Sequence, residues 1–257
     1  TGTLNDTYDI LISEYDLDIN ASSPAVASSS ISDRYMVVWR ESRTVPDPRA
    51  IKMGIYARKI TSGGYYDQAP FPISQSDFYH GEPDIAYNQN VDRYLVVWEQ
   101  SPDGLTNYDI RGCQAYGDGG TYSSPFDIEN RINTAAAPSV AAISTAQGNI
   151  KFLVVYEYYF SSTDHDIDGV FVEENGTIAN TIFPGTSLNN EIMPAVAGSE
   201  SSKTFLVAWQ EVMSPDESSI QIHQYSSNGL DTGAIFTINR EYAGRNAVAA
   251  GLSGNFI

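Results

Sequence analysis

An internal repeat constrains this chain more than any other feature. Pro24-Ala-Val-Ala27, Pro83-Asp-Ile-Ala86, Pro138-Ser-Val-Ala141 and Pro194-Ala-Val-Ala197 recur at spacings of 59, 55 and 56 residues, and Asn246-Ala-Val-Ala249 follows 52 residues later. An apolar run ending in an aromatic comes next in each full copy: Tyr35-Met-Val-Val-Trp39, Tyr94-Leu-Val-Val-Trp98, Phe152-Leu-Val-Val-Tyr156 and Phe205-Leu-Val-Ala-Trp209. A third element centres on Ile55, Ile110, Ile167 and Ile220. Eighteen residues beyond each lies a fourth, carrying Ile73, Ile128 and Ile238, with Gly185 in the third copy. A period of this length marks an architecture in which one unit cannot bury its apolar surface alone.

Each copy reads as a four-stranded antiparallel sheet. The runs are short, rich in Val, Ile, Tyr and Trp, and separated by turn residues such as Asp118-Gly-Gly120, Glu174-Asn-Gly176 and Asn228-Gly229. No stretch sustains a helical period. The second strand is apolar on both faces, which suits burial between neighbouring sheets, and a radial arrangement of sheets supplies that burial. The expectation is an all-β, five-bladed β-propeller of four-stranded antiparallel blades spanning residues 1–257. The blades fall near 24–80, 83–135, 138–191 and 194–243. A last blade is shared between the two ends, residues 246–257 plus Tyr8-Asp-Ile-Leu-Ile-Ser13, which removes an exposed sheet edge.

The succession Pro-x-Val-Ala, Tyr94-Leu-Val-Val-Trp-Glu99 and Asp109-Ile-Arg-Gly112 resembles a repeat of large secreted and cell-surface propeller proteins of bacteria and archaea. The resemblance implies display, adhesion or binding, and no catalytic motif travels with it.

Charge and cysteine content narrow the partners. With 32 acidic against 14 basic residues and a net charge of -18, the chain repels nucleic acid and anionic membrane surfaces. No apolar run approaches the roughly 18 residues of a membrane span, so membrane insertion is not expected. The single cysteine, Cys113, rules out an intramolecular disulfide. A chain beginning at Thr1 is expected to be a processed or excised form, and an extracellular or cell-surface location follows from the repeat and the acidic surface.

Three groups of residues are candidates for a site. The segment from Arg40 to Lys52 gathers Arg40, Arg43, Arg49 and Lys52, a basic patch fit to grip an anionic glycan or a neighbouring subunit, or else a solvated hairpin. Phe78, Tyr79, Tyr158 and Tyr159 offer aromatic faces for sugars or protein partners. Asp164, Asp166 and Asp168 resemble the start of a calcium loop, although its closing ligands are missing; calcium is the one cofactor considered. For catalysis, the variable positions of the innermost strands are Ala25, Asp84, Ser139, Ala195 and Ala247, a single carboxylate, which weighs against the two that glycoside cleavage uses. Glu41, Glu99, Glu157 and Glu211 follow the second strand in every copy, a recurrence that favours a structural role. The function expected is therefore a non-enzymatic binding or adhesive module whose partner is a glycan, a cell-surface protein or copies of itself. The alternatives are a subunit of a surface layer or filament, and a glycoside hydrolase.

Overall fold

The computed structural model describes residues 11–13, 19–44, 51–66, 68–144 and 150–240. These form seventeen strands and no helix. The first sheet is β1 (Ile19–Ser29), β2 (Arg34–Thr44), β3 (Ile51–Thr61) and β4 (Phe71–Ser76), antiparallel in that order. The second contains β5 (Tyr79–His80), β6 (Asp84–Asn88), β7 (Arg93–Ser101), β8 (Asp109–Tyr116) and β9 (Phe126–Glu129), with β5 and β6 both pairing β7. Residues 79 and 80, expected to end the first blade, therefore open the second. The third sheet is β10 (Ala135–Ala142), β11 (Ile150–Ser161), β12 (Asp164–Glu173) and β13 (Ile178–Gly185). The fourth is β14 (Asn190–Ser199), β15 (Thr204–Ser214), β16 (Glu217–Ser226) and β17 (Asp231–Arg240), joined to the third by one parallel pairing of His165 with Asn190.

The sheets stack face to face, and the second strand of each explains why. Alternate residues of a strand point to opposite faces. Met36 and Val38 of β2 pack on Tyr94, Val96 and Trp98 of β7. From the other face of β7, Leu95 and Val97 pack on Phe152, Val154 and Tyr156 of β11. Leu153 and Val155 then meet Phe205, Val207 and Trp209 of β15. Burying each such aliphatic side chain contributes roughly 1.5–3 kcal/mol. The leading strands lie beside one another in sequence order, β1 by β6, β6 by β10 and β10 by β14, so the sheets turn about a shared inner edge. The expected closing blade falls on residues 246–257 and 8–10, outside the described residues. Of the N-terminal stretch, Leu11 and Ile12 offer carbonyls to the Arg58 guanidinium of the first sheet.

The proline at the head of the repeat has a structural task. The residue before it adopts a left-handed backbone in three sheets: Ser23 (φ 51°), Ala137 (φ 51°) and Met193 (φ 55°). Strand register shifts at the same places, between Ser22 and Ala25, Ala136 and Ser139, and Ile192 and Ala195. These are bulges, where the proline lacks an N–H to give and the preceding N–H turns out of the ladder. The preceding sheet takes up that N–H: Ala137 N donates to Glu99 Oε1 at 2.6 Å and Met193 N to Glu157 Oε1 at 2.7 Å. Each glutamate thus clasps its sheet to the next. Replacing Glu157 by leucine strands a partly buried N–H and is expected to cost about 1 kcal/mol, whereas glutamine keeps the acceptor. Urea denaturation of E157L and E157Q checks this, and equal stability of the two would refute the clasp.

Candidate functional site

Strand pairing shows which residues are equivalent among the copies. Arg40, Glu99, Glu157 and Gln210 lie opposite Ile55, Ile110, Ile167 and Ile220 and occupy one repeat position. Of the four glutamates that follow the second strand, Glu41 and Glu211 stand one residue later than Glu99 and Glu157, on the other face of the strand. There Glu41 accepts the Trp39 indole N–H at 2.9 Å and pairs with Arg43, while Glu211 accepts from Asn189 and Gln221. In the first sheet, then, the clasp position carries Arg40. A guanidinium has no lone pair with which to accept a backbone N–H.

The second sheet departs from the repeat at the matching place. Its leading strand breaks between β5 and β6, leaving Gly81, Glu82 and Pro83 unpaired to β7 as strand. Glu82 is exposed there, at the position before the proline. The Ser23 hydroxyl of the first sheet reaches its Oε1 at 3.4 Å. Tyr79 is set by His80, which is fully buried, stacked on Trp98, donating from Nδ1 to the Phe78 carbonyl and accepting at Nε2 from Ser74. Burial holds the His80 imidazole down at about 4, so it stays neutral. The Tyr79 hydroxyl accepts from Arg40 Nη1 at 2.6 Å, and its ring meets Tyr108 edge-on at 5.8 Å.

Carboxyl chemistry concentrates at this break. Burial raises Glu99 above the usual carboxylate range; the Ala137 N–H opposes the rise, the neighbouring Glu82 adds to it and Arg40 tempers it. The Gly81 N–H binds the Glu99 carbonyl at 2.7 Å, and any side chain at 81 would strike the Glu99 carboxyl. Glu157 is raised for the same first reason, burial, with the Glu99 charge contributing. Tyr159 is pushed up to about 12 by burial, then by Glu157 and Glu99, and its ring stacks on His165 at 3.7 Å. Arg40, Tyr79, Glu82, Glu99, Tyr108 and Tyr159 therefore converge where the leading strands of the first three sheets begin. Raised acids beside an open carboxylate, flanked by aromatic rings and a cation, are equipped for proton transfer to a polar, ring-shaped ligand.

Of the residues singled out from sequence, Arg40, Tyr79 and Tyr159 join this cluster, with Phe78 exposed next to it. Tyr158 does not: it points to the other face of β11, buried beneath the Arg131 guanidinium at 3.7 Å. The expected basic patch is also corrected. Arg43 is ion-paired to Glu41 and stacked on Tyr56, Lys52 is exposed opposite Arg43, and Arg49 lies outside the described residues. The calcium reading fails on geometry. Asp164, Asp166 and Asp168 sit in strand β12, whose alternate residues point the same way about 6–7 Å apart, too far to converge as loop ligands. Asp168 is held by Arg131, and among the described residues no three His, Cys, Asp or Glu side chains gather closely enough for a metal. Nothing in the sequence marks Glu82, because the variable position of the repeat is the one after the proline, Asp84. That carboxyl instead accepts Ile85 N and Val140 N, tying the second sheet to the third.

No known family model and no curated protein sequence matches the chain. Solved structures do match its fold. An endo-arabinase from Bacteroides thetaiotaomicron superposes with a TM-score of 0.54 at 12% identity, covering 98% of this chain and 91% of that one. A GH43 β-1,3-galactosidase with bound galactodeoxynojirimycin superposes with a TM-score of 0.55 at 8% identity, covering 92% and 84%. At such identities the likeness is one of fold. It corrects the expectation of a non-enzymatic module, because the architecture shared along nearly the whole chain is, in both proteins, that of a glycan-cleaving enzyme.

The acidic strand β12 carries a pH dependence. Asp166 is pushed up from 3.8 to about 6 by burial, then by Glu191, Asp164 and Asp168. The folded chain therefore binds this proton more tightly than the unfolded chain, and the resulting stability is lost as pH rises from about 4 through about 6. Denaturation midpoints are expected to fall across that window and to fall less in D166N. Parallel profiles for the two proteins would refute the assignment.

Proposed function

We propose that this chain hydrolyses glycosidic bonds at the cluster around Glu82 and Glu99. One observation carries the reading: a carboxyl raised by burial stands beside an exposed carboxylate, at the one place among the described residues where an inner strand breaks off from the repeat, on a fold shared with an arabinase and a galactosidase. Glycoside cleavage uses such a pair. Glu99, whose carboxyl burial keeps protonated to higher pH than usual, gives its proton to the leaving glycosidic oxygen as the bond to the anomeric carbon breaks. Glu82 serves the opposite side of that carbon, either taking a proton from the attacking water or bonding to the carbon until water displaces it. The water supplies hydroxyl to the new reducing end and a proton that restores the carboxyl pair. Tyr79, Tyr108 and Tyr159 offer ring faces to the sugar.

The same reading includes the rest of the wheel. Five blades, with residues 246–257 and 8–13 completing the last, would give the inner strands a closed mouth, and the resemblance to secreted propeller repeats supports an exported enzyme. No helix among the described residues is long and apolar enough to cross a membrane.

Release of reducing ends from arabinan, β-1,3-galactan and a wider set of plant and bacterial glycans tests the activity. E99Q keeps the acceptor for Ala137 N–H, so it should fold and yet lose about 10²–10⁴-fold in kcat, as should E82Q. Activity should fall as pH rises through the raised pKa of Glu99, when the donor loses its proton. Absence of turnover on every glycan, or full activity in both variants, would overturn the proposal.

A further inference from the structure

We infer that the site takes a sugar bearing a carboxylate, with Arg40 as the residue that binds it. The inference rests on the hydrolase reading for its location and goes further in naming the substrate class.

The repeat itself makes Arg40 conspicuous. At its position Glu99 and Glu157 bind the backbone N–H of the following sheet, a structural duty that arginine cannot perform. Facing it, the sheet edge that would be clasped is the broken one around Glu82. The first and second sheets have thus exchanged a structural contact for a cation beside Glu99.

Its surroundings leave that cation available. The chain holds more than twice as many acids as bases, and three of its arginines are ion-paired, Arg43 with Glu41, Arg111 with Asp127, and Arg131 with Glu129 and Asp168, while Arg58 and Arg93 bind backbone carbonyls. Among the described residues no carboxylate forms an ion pair with Arg40. One N–H goes to the Tyr79 hydroxyl, which fixes the plane of the guanidinium and leaves most of its five donors unspent. It is half-buried, its carbon 5.4 Å from the Tyr79 ring centre, and close enough to Glu99 for its charge to lower that carboxyl. A fixed, planar, partly desolvated fork of donors matches a carboxylate in two-point contact. In a uronic acid the carboxylate is carried on C5, on the other side of the ring oxygen from the anomeric carbon. Arg40 can therefore hold one end of the sugar while Glu99 and Glu82 face the other.

Calorimetry with the E99Q chain, which binds without turnover, tests this with an oligogalacturonide and its carboxyl-reduced, neutral counterpart. The acidic oligosaccharide should bind about ten- to a hundredfold more tightly, the range for a hydrogen-bonded charge, and R40Q in the same background should close the gap to within about twofold. A sulfated neutral oligosaccharide forms a third arm: matching the uronide would show general anion capture and overturn carboxylate recognition. Equal binding of the acidic and reduced ligands, a preference that survives R40Q, or binding of neither would also overturn it. The two readings fail separately. Turnover of neutral glycans with no acidic preference removes Arg40 recognition alone, and acidic preference without turnover of any glycan removes the hydrolase alone.

Discussion

The structure depends on strands that have no solvent face. Strands β7 and β11 send alternate side chains into two neighbouring sheets, and Trp98, Tyr94, Tyr156 and Phe152 are wholly enclosed as a result. Such a strand is stable only with a sheet on either side, so the fold has to propagate around its inner edge. Apolar contact is tolerant of small shifts, however, and does not by itself fix how far one sheet slides along the next. The directional contacts at the leading strands supply that constraint. In the third and fourth sheets a bulge before the repeat proline turns one N–H outward, and Glu99 or Glu157 of the preceding sheet receives it. Asp84 adds a second tie between the second and third sheets, accepting Val140 N at 2.9 Å.

This arrangement places carboxyls in partly dry surroundings for structural reasons, and burial then raises them. A raised carboxyl is what a proton donor requires. The step from clasp to candidate active site is therefore short: Glu99 keeps its N–H partner at one oxygen and gains an open neighbour, Glu82, where the leading strand breaks. Repeat proteins usually satisfy every local rule in every copy, and departures concentrate at sites of function. Here two departures, Arg40 for glutamate and the break at Gly81 to Pro83, lie beside Glu99.

The repeat distances were sufficient to read the strands, their order within each sheet and the double-faced second strand, because side-chain alternation and turn chemistry are local properties. The cluster was legible only in part. Arg40, Tyr79 and Tyr159 stood out as a cation and aromatics in variable segments, yet nothing local separated Tyr159 from its neighbour Tyr158, which faces the opposite way. The glutamates misled for a related reason. One residue of register decides which face a strand residue takes, and Glu41 and Glu211 stand two residues after their aromatic where Glu99 and Glu157 stand one. Asp164, Asp166 and Asp168 looked like loop ligands because alternate acids suit a calcium loop, but the same alternation in an extended strand keeps them apart.

By itself, the sequence determined that the chain is all-β, that it is built from recurring antiparallel sheets, and that these must pack on both faces. Those outcomes follow from composition and spacing along the chain. Only the tertiary structure decided that Glu82, from a connection, and Glu99, from β7, come together with Arg40 of another sheet. It also decided that Arg43 and Asp168 are already paired. Charge, burial and proton affinity at a point in space are set by groups distant in the chain, and their meeting exists only once the sheets have stacked.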